Sequence, residues 1–154
     1  MTDFYKFISI GQLDGIKELL DTEPGLLEQR DSRGFPPIIL ATYQEQPQVV
    51  ELLLNRGANV DAQDVAGNTA LMGVCFKGNS GIARMLIDKG ADVNKQNKNG
   101  TTALIFAATF GQVEVARLLL ENGADKSIKD ATGQTAHQQA VAKGMTDFAE
   151  ILKE

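Results

Sequence analysis

Apolar residues return along this chain in short helical phrases, and the phrases themselves return at a fixed interval. Over 113–121, Val115, Leu118 and Leu119 stand at i, i+3 and i+4, which predicts a helix over Val113–Glu121 with one apolar face. Leu52, Leu53 and Leu86 hold matching places earlier in the chain, and all five leucines are expected to be buried. A shorter apolar run precedes each of these helices. GNTALMGVCFKG at 67–78 and GTTALIFAATFG at 100–111 share Gly, Thr, Ala, Leu and a closing Gly, 33 residues apart.

The register extends well beyond those two stretches. Asp31, Asp64, Asn97 and Asp130 align, as do Gly34, Gly67, Gly100 and Gly133. So do Ile38, Leu71 and Leu104, then Gly57, Gly90 and Gly123, then Gly78, Gly111 and Gly144. LLLNRGANVDAQD, MLIDKGADVNKQN and LLLENGADKSIKD superpose without a gap. Coincidence at one period marks a repeat architecture. Each unit has a local logic. Asn97-Lys98-Asn99-Gly100 carries turn chemistry, and Thr102 can cap a helix running to Phe110. Gly111 stops that helix, and the Val113–Glu121 helix follows. One such pair cannot bury both its faces, whereas stacked pairs can.

The turn, the D-x-x-G-x-T-A-L phrase, the short helix, G-x-x-E-V-A-x-L-L-L and G-A-D together resemble the ankyrin repeat, whose period is 33 residues. The resemblance covers nearly the whole chain and implies an all-α solenoid of stacked helix-turn-helix units with β-turn-like connecting loops. It divides residues 1–154, as a single domain, into an N-terminal cap at 1–30, repeats at 31–63, 64–96 and 97–129, and a C-terminal cap at 130–154. The cap begins with a helix pair over Thr2–Asp21, and its connector DTEPGLLEQR is one residue longer than the others. Three departures stand out. Pro36-Pro37 replaces Thr-Pro, which removes a capping hydroxyl; Glu45 occupies a Gly register, with Pro47 opening the next helix. Ile39, Met72 and Ile105 stand where the family has His, so apolar packing must join the units there. His137-Gln138-Gln139 gives the last unit a polar outer face, as a terminal repeat requires, and a complete chain is the expectation.

Composition narrows the function classes. Hydrophobic residues at 43% and charged residues at 23% fit a folded domain, and the formal charge of −5 argues against nucleic acid. No long apolar run is present to cross a membrane, and the first residues lack a basic, cleavable leader. A single cysteine excludes an internal disulfide. A cytoplasmic monomer is expected. Candidate chemistry is sparse. His137 is alone, so no metal pair can form, and no phosphate-binding glycine motif occurs. No metal or cofactor is expected. Cys75 falls at a small-residue place in a helix and is read as a packing thiol, with Lys77 two residues on as the one feature favouring reactivity.

The resemblance implies that partners bind on the concave side, built from the turn tips and the exposed edges of the first helices. Carried over by register, the expected contact residues are Arg33, Phe35, Tyr43, Gln44, Asn68, Phe76 and Lys77, then Lys98, Asn99, Thr101, Thr109, Phe110, Lys129 and Lys143. This set contains five cations and no carboxylate, leaving all 20 acidic residues elsewhere, although Asp31, Asp64 and Asp130 lie near by at the turn bases. It also contains four aromatics, the residue type that dominates interface energetics. For Phe76 and Phe110, exposure and packing between first helices are both open; Phe35, on a turn tip, is expected to be exposed. The reading is a non-enzymatic module that binds another protein carrying an acidic, partly apolar patch. The alternatives are a thiol-dependent enzyme or stress accessory protein using Cys75, and a structural spacer in a larger assembly.

Overall fold

The computed structural model describes residues 2–154. Within them the chain forms five consecutive helix pairs: α1 (Thr2–Ile10) with α2 (Leu13–Thr22), α3 (Pro37–Tyr43) with α4 (Pro47–Asn55), α5 (Ala70–Lys77) with α6 (Ser80–Asp88), α7 (Ala103–Phe110) with α8 (Val113–Glu121), and α9 (Ala136–Ala142) with α10 (Thr146–Ile151). There is no strand among the described residues. The first helices pack in one row, α1 on α3 on α5 on α7 on α9, and α2, α4, α6 and α8 pack in a second. Among the described residues no helix is long and apolar enough to cross a membrane.

Helix starts follow side-chain chemistry. The hydroxyls of Thr69, Thr102 and Thr135 accept from the amides of Met72, Ile105 and Gln138 at 3.3, 3.2 and 3.3 Å. Pro36 occupies the same place before α3 and supplies no such bond; Pro37 opens the helix with its fixed φ. Ile39, Met72 and Ile105 are all buried, so the units are joined there by apolar contact. Of the five leucines expected inside, Leu53, Leu86, Leu118 and Leu119 are buried. Leu52 is only half-buried, because the α4 face it occupies lies at the edge of the core. The longer first connector resolves into a 3-10 turn at Pro24–Glu28 that buries Leu26, a use for the extra residue that its length alone did not reveal.

The turns are built from one repeated device. A carboxylate or amide oxygen at each turn base accepts from the amides two and four residues on. Asp31 does so from Arg33 and Phe35 at 2.9 and 3.0 Å, and Asp130 from Thr132 and Gln134 at 2.9 and 3.1 Å. Burial opposes ionisation of Asp31, but the Phe35 and Arg33 amides and the Arg33 guanidinium outweigh it and lower its pKa. For Asp130 the Thr132 hydroxyl leads the groups that lower it. Both folded pKa values lie below 3.8, so their stabilisation is present above that value and is lost as pH falls through the folded pKa. Asn97 makes the same two bonds, both at 2.9 Å, with an oxygen that does not titrate. An Asp31→Asn/Asp130→Asn variant should therefore keep its fold and lose less stability than wild type between pH 7 and pH 3, measured by urea midpoints across that range.

Adjacent turns are also joined to each other. The Lys98 amide donates to the Ala66 carbonyl at 3.1 Å, and the Ala131 amide to the Asn99 carbonyl at 2.8 Å. A Cβ on Gly67 would sit 2.9 Å from the Lys98 nitrogen, so this close approach needs glycine as well as its φ of +84°.

Glu45 is the one non-glycine residue with positive φ (51°) among those described. In the matching places, a Cβ on Gly78 would collide with Gln112, and one on Gly11 with Gln46. Above Glu45 the same register holds Asn79, one methylene shorter, which leaves room for a side chain. The left-handed conformation still costs about 1–2 kcal/mol for a residue with a Cβ. Glu45→Gly is expected to raise stability by roughly 0.5–1 kcal/mol after the entropy of the unfolded glycine is counted, read as a shift in the urea midpoint.

Candidate functional site

The row of first helices, with the turn tips above it, presents a ladder of aromatic rings. Phe35 meets Tyr43 edge-on at 5.5 Å, and Tyr43 meets Phe76 at 6.5 Å. Phe76 lies 4.7 Å from Phe110 and 5.4 Å from Phe106, whose own ring is 6.2 Å from Phe110. Register explains the ladder. Tyr43 and Phe76 hold the same place in successive units, and Phe110 holds the place of Lys77 one unit on. Phe76 and Phe110 remain 42% and 43% exposed while packing on each other, so the two readings open for them are both true in part. The expectation for Phe35 needs correction. It is half-buried against the core, with the Arg33 guanidinium 5.0 Å above its ring, because the turn folds back onto α3.

Two further residues complete the arrangement. Gly73 has no side chain where the neighbouring units have Leu40 and Phe106, and the Tyr43 ring fills that space; a Cβ there would come within 2.5 Å of Tyr43 Cε1. Beside it lies a recess of about 280 Å³, walled by Tyr43, Gly73, Val74 and Phe76, with Glu45, Lys77 and Asn79 at its edge. Burial, and then the Asp64 charge, raise the Tyr43 pKa, which keeps its phenol neutral. Phe106, Gly73 and Glu45 were absent from the candidate set. Register comparison carried the signal for Gly73, a missing side chain between two large ones; Phe106 reads as core from the sequence.

The charges on this face divide into two kinds. Arg33 pairs with Asp31 at 3.4 Å, and Lys77 pairs with Glu45 at 3.6 Å while donating to the Tyr43 carbonyl at 3.3 Å. These two cations are internally compensated. Lys98, Lys129 and Lys143 are exposed and enter no ion pair among the described residues. Gln44 and Asn99 are exposed, and Thr101 is half-buried. Asn68 accepts from the Asn97 side chain at 2.8 Å, and the Thr109 hydroxyl donates to the Ile105 carbonyl at 2.9 Å, so both side chains are engaged within the stack. The last unit shows a similar division. Gln138 is exposed, while half-buried His137 bonds the Ala149 carbonyl through Nδ1 at 2.8 Å and Gln139 donates to Gln134 at 2.9 Å.

Cys75 lies on the opposite side of α5 from solvent and is fully buried, its Sγ 3.2 Å from the Ala103 carbonyl and 3.5 Å from that of Leu71. Burial pushes its pKa up to about 12, so at neutral pH it is a thiol rather than a nucleophilic thiolate. A thiol reagent should label native protein slowly and denatured protein fast, and Cys75→Ala should leave binding intact. Rapid native labelling would restore the enzyme alternative. Among the described residues no group of three or more His, Cys, Asp or Glu is placed to hold a metal ion.

Comparison with known proteins agrees with this architecture. The family model described as ankyrin repeats (3 copies) matches residues 4–97 and 71–154. The ankyrin repeat and SAM domain-containing protein 6 of Rattus norvegicus is 32% identical over 78 residues, and that of Mus musculus is 34% identical over 78. In each case the match covers 50% of this chain and 9% of the relative, so the likeness is to one stretch of a much longer protein. The chain belongs to the ankyrin-repeat family.

Proposed function

We propose that this protein is a non-catalytic module that binds another protein through its turn tips and first-helix edges. Ankyrin repeats are in general protein–protein interaction modules, and this chain supplies a face suited to that use. The observation that carries the reading is the aromatic ladder. Phe76 and Phe110 stay over 40% exposed within it, and the free cations Lys98, Lys129 and Lys143 lie on the turns and helix ends of the same face. A spacer would have no reason to leave two phenylalanines in water, since aromatic side chains are the largest single sources of burial energy at interfaces. The partner is a protein with an acidic, partly apolar patch, met by a monomer in the cytoplasm. The division into caps at 1–30 and 130–154 around repeats at 31–63, 64–96 and 97–129 belongs to the same proposal.

Affinity capture from the source cell tests it, with three baits compared by quantitative mass spectrometry. Wild type and the back-face variant Glu114→Gln should recover the same protein, and Phe76→Ala/Phe110→Ala should lose it. Retention by the aromatic variant, with loss on the back-face change, would mean that the functional face is on the other side.

A further inference from the structure

We infer that the recess between α3 and α5 is a side-chain socket, and that it takes an aromatic residue of a partner segment flanked by a carboxylate. The inference rests on the protein-binding reading and gives it a location. At about 280 Å³ the recess is smaller than the roughly 300–1,000 Å³ of clefts that hold whole small ligands, so one inserted side chain is the scale it fits. Its walls are apolar or aromatic, and on them Tyr43 and Phe76 meet edge to face, 6.5 Å apart at 82°. A third ring entering there can continue the edge-to-face contacts already present along the ladder.

The edge supplies the charge selection. Lys77 and Glu45 close on each other at 3.6 Å, longer than the ~2.7–2.9 Å of a tight charge-assisted bond, and both side chains are about half exposed. A partner carboxylate can therefore take the Lys77 ammonium without breaking a strong pair. Further along the row, in later units, the unpaired Lys98, Lys129 and Lys143, the last in the register of Lys77 two units along, favour an acidic segment running from the recess over a basic one.

The socket exists because three residues depart together from the repeat. Gly73 lacks a side chain, which lets Tyr43 lie down and form a wall. Glu45 replaces a turn glycine at a conformational cost, and shortened Asn79 admits it, donating to its Oε1 at 3.4 Å. Backbone strain held at the edge of a concave apolar site is where a binding role is commonly found.

The test is a titration of the ¹⁵N-labelled full chain with acetyl-Asp-Glu-Phe-Glu-Asp-amide, followed by amide chemical shifts. Saturable shifts are expected at Gly73, Val74 and Asn79. Replacing the peptide's Phe by Ala, or its acids by Lys, should weaken binding at least about tenfold. On the protein side, Lys77→Glu should weaken it by a similar factor and Glu45→Gln should strengthen it. Gly73→Ala should abolish it by displacing Tyr43; should that variant not fold, the Lys77 and Glu45 pair of changes decides. Shifts centred on Phe110 and Lys129 instead would overturn the socket and leave the face reading standing. Absence of saturable shifts, or equal binding of the Phe and Ala peptides, also overturns the socket, and the capture experiment then judges the face independently.

Discussion

Leu86→Ala should lower the unfolding free energy by about 3–5 kcal/mol, and Leu118→Ala by roughly 2–3 kcal/mol, in urea unfolding at neutral pH. The two leucines occupy adjacent registers of successive second helices, Leu86 matching Leu119 and Leu118 matching Met85. Leu86 is 0% exposed in the central pair, where α6 is held by α5 and by α4 and α8 on either side. Truncating it leaves a hole that none of these helices can close without parting from another, so the cavity cost adds to the lost transfer energy. Leu118 is 6% exposed and borders a surface groove between α6 and α8, where solvent and the Arg84 and Arg117 stems can take up part of the space. Its loss is expected to be the milder one. Equal costs, or a larger one at Leu118, would mean that the second-helix row is not the continuous core described here. Because each unit contacts mainly its neighbours, the Leu86 variant should also broaden the transition as the halves of the stack uncouple.

The second large effect concerns binding. With the captured partner in hand, Phe76→Ala or Phe110→Ala should speed dissociation by a factor corresponding to about 2 kcal/mol or more, since these rings pass from water into a desolvated interface. Lys98→Glu/Lys129→Glu should instead slow association and flatten its dependence on salt, because uncompensated charges act at long range. Arg33 and Lys77 differ from these lysines. Each already faces a carboxylate, Asp31 or Glu45, so their removal should change the salt dependence less. Phe35 should matter less than Phe76, being half-buried under Arg33 before any partner arrives. Surface plasmon resonance at two ionic strengths separates the two classes. If the lysine changes alter only dissociation and the phenylalanine changes only association, the division of labour is wrong.

Much of the fold was legible because its causes are local and repeated. A threonine hydroxyl three residues before an amide, a glycine able to take positive φ, and apolar residues at i, i+3 and i+4 act the same way wherever they occur. Four rounds of the same phrase then leave little doubt about boundaries: α8 occupies Val113–Glu121, and α7 starts after Thr102 and ends before Gly111, as read from the residues. Even the departures were visible, with Glu45 in a glycine register and Pro36 without a capping hydroxyl. The misreadings, Leu52 and Phe35, fall at edges of the core, where exposure depends on how a neighbouring segment folds back.

The site was legible only as a register of positions. That Tyr43 and Phe76 share a face with Phe110 follows from the 33-residue period, since stacking brings equivalent residues together and Phe110 holds the place next to theirs, that of Lys77. What they do there depends on residues far apart in the chain. Gly73 makes the wall that Tyr43 forms, Glu45 neutralises Lys77, and Asn97 takes up Asn68. Each of these is a contact between different units, set by a distance of a few ångströms that one-dimensional spacing does not contain. Helix, turn and stacking order are consequences of short-range chemistry repeated in sequence, whereas the free or compensated state of each charge and the depth of each ring emerged only once the units were packed side by side.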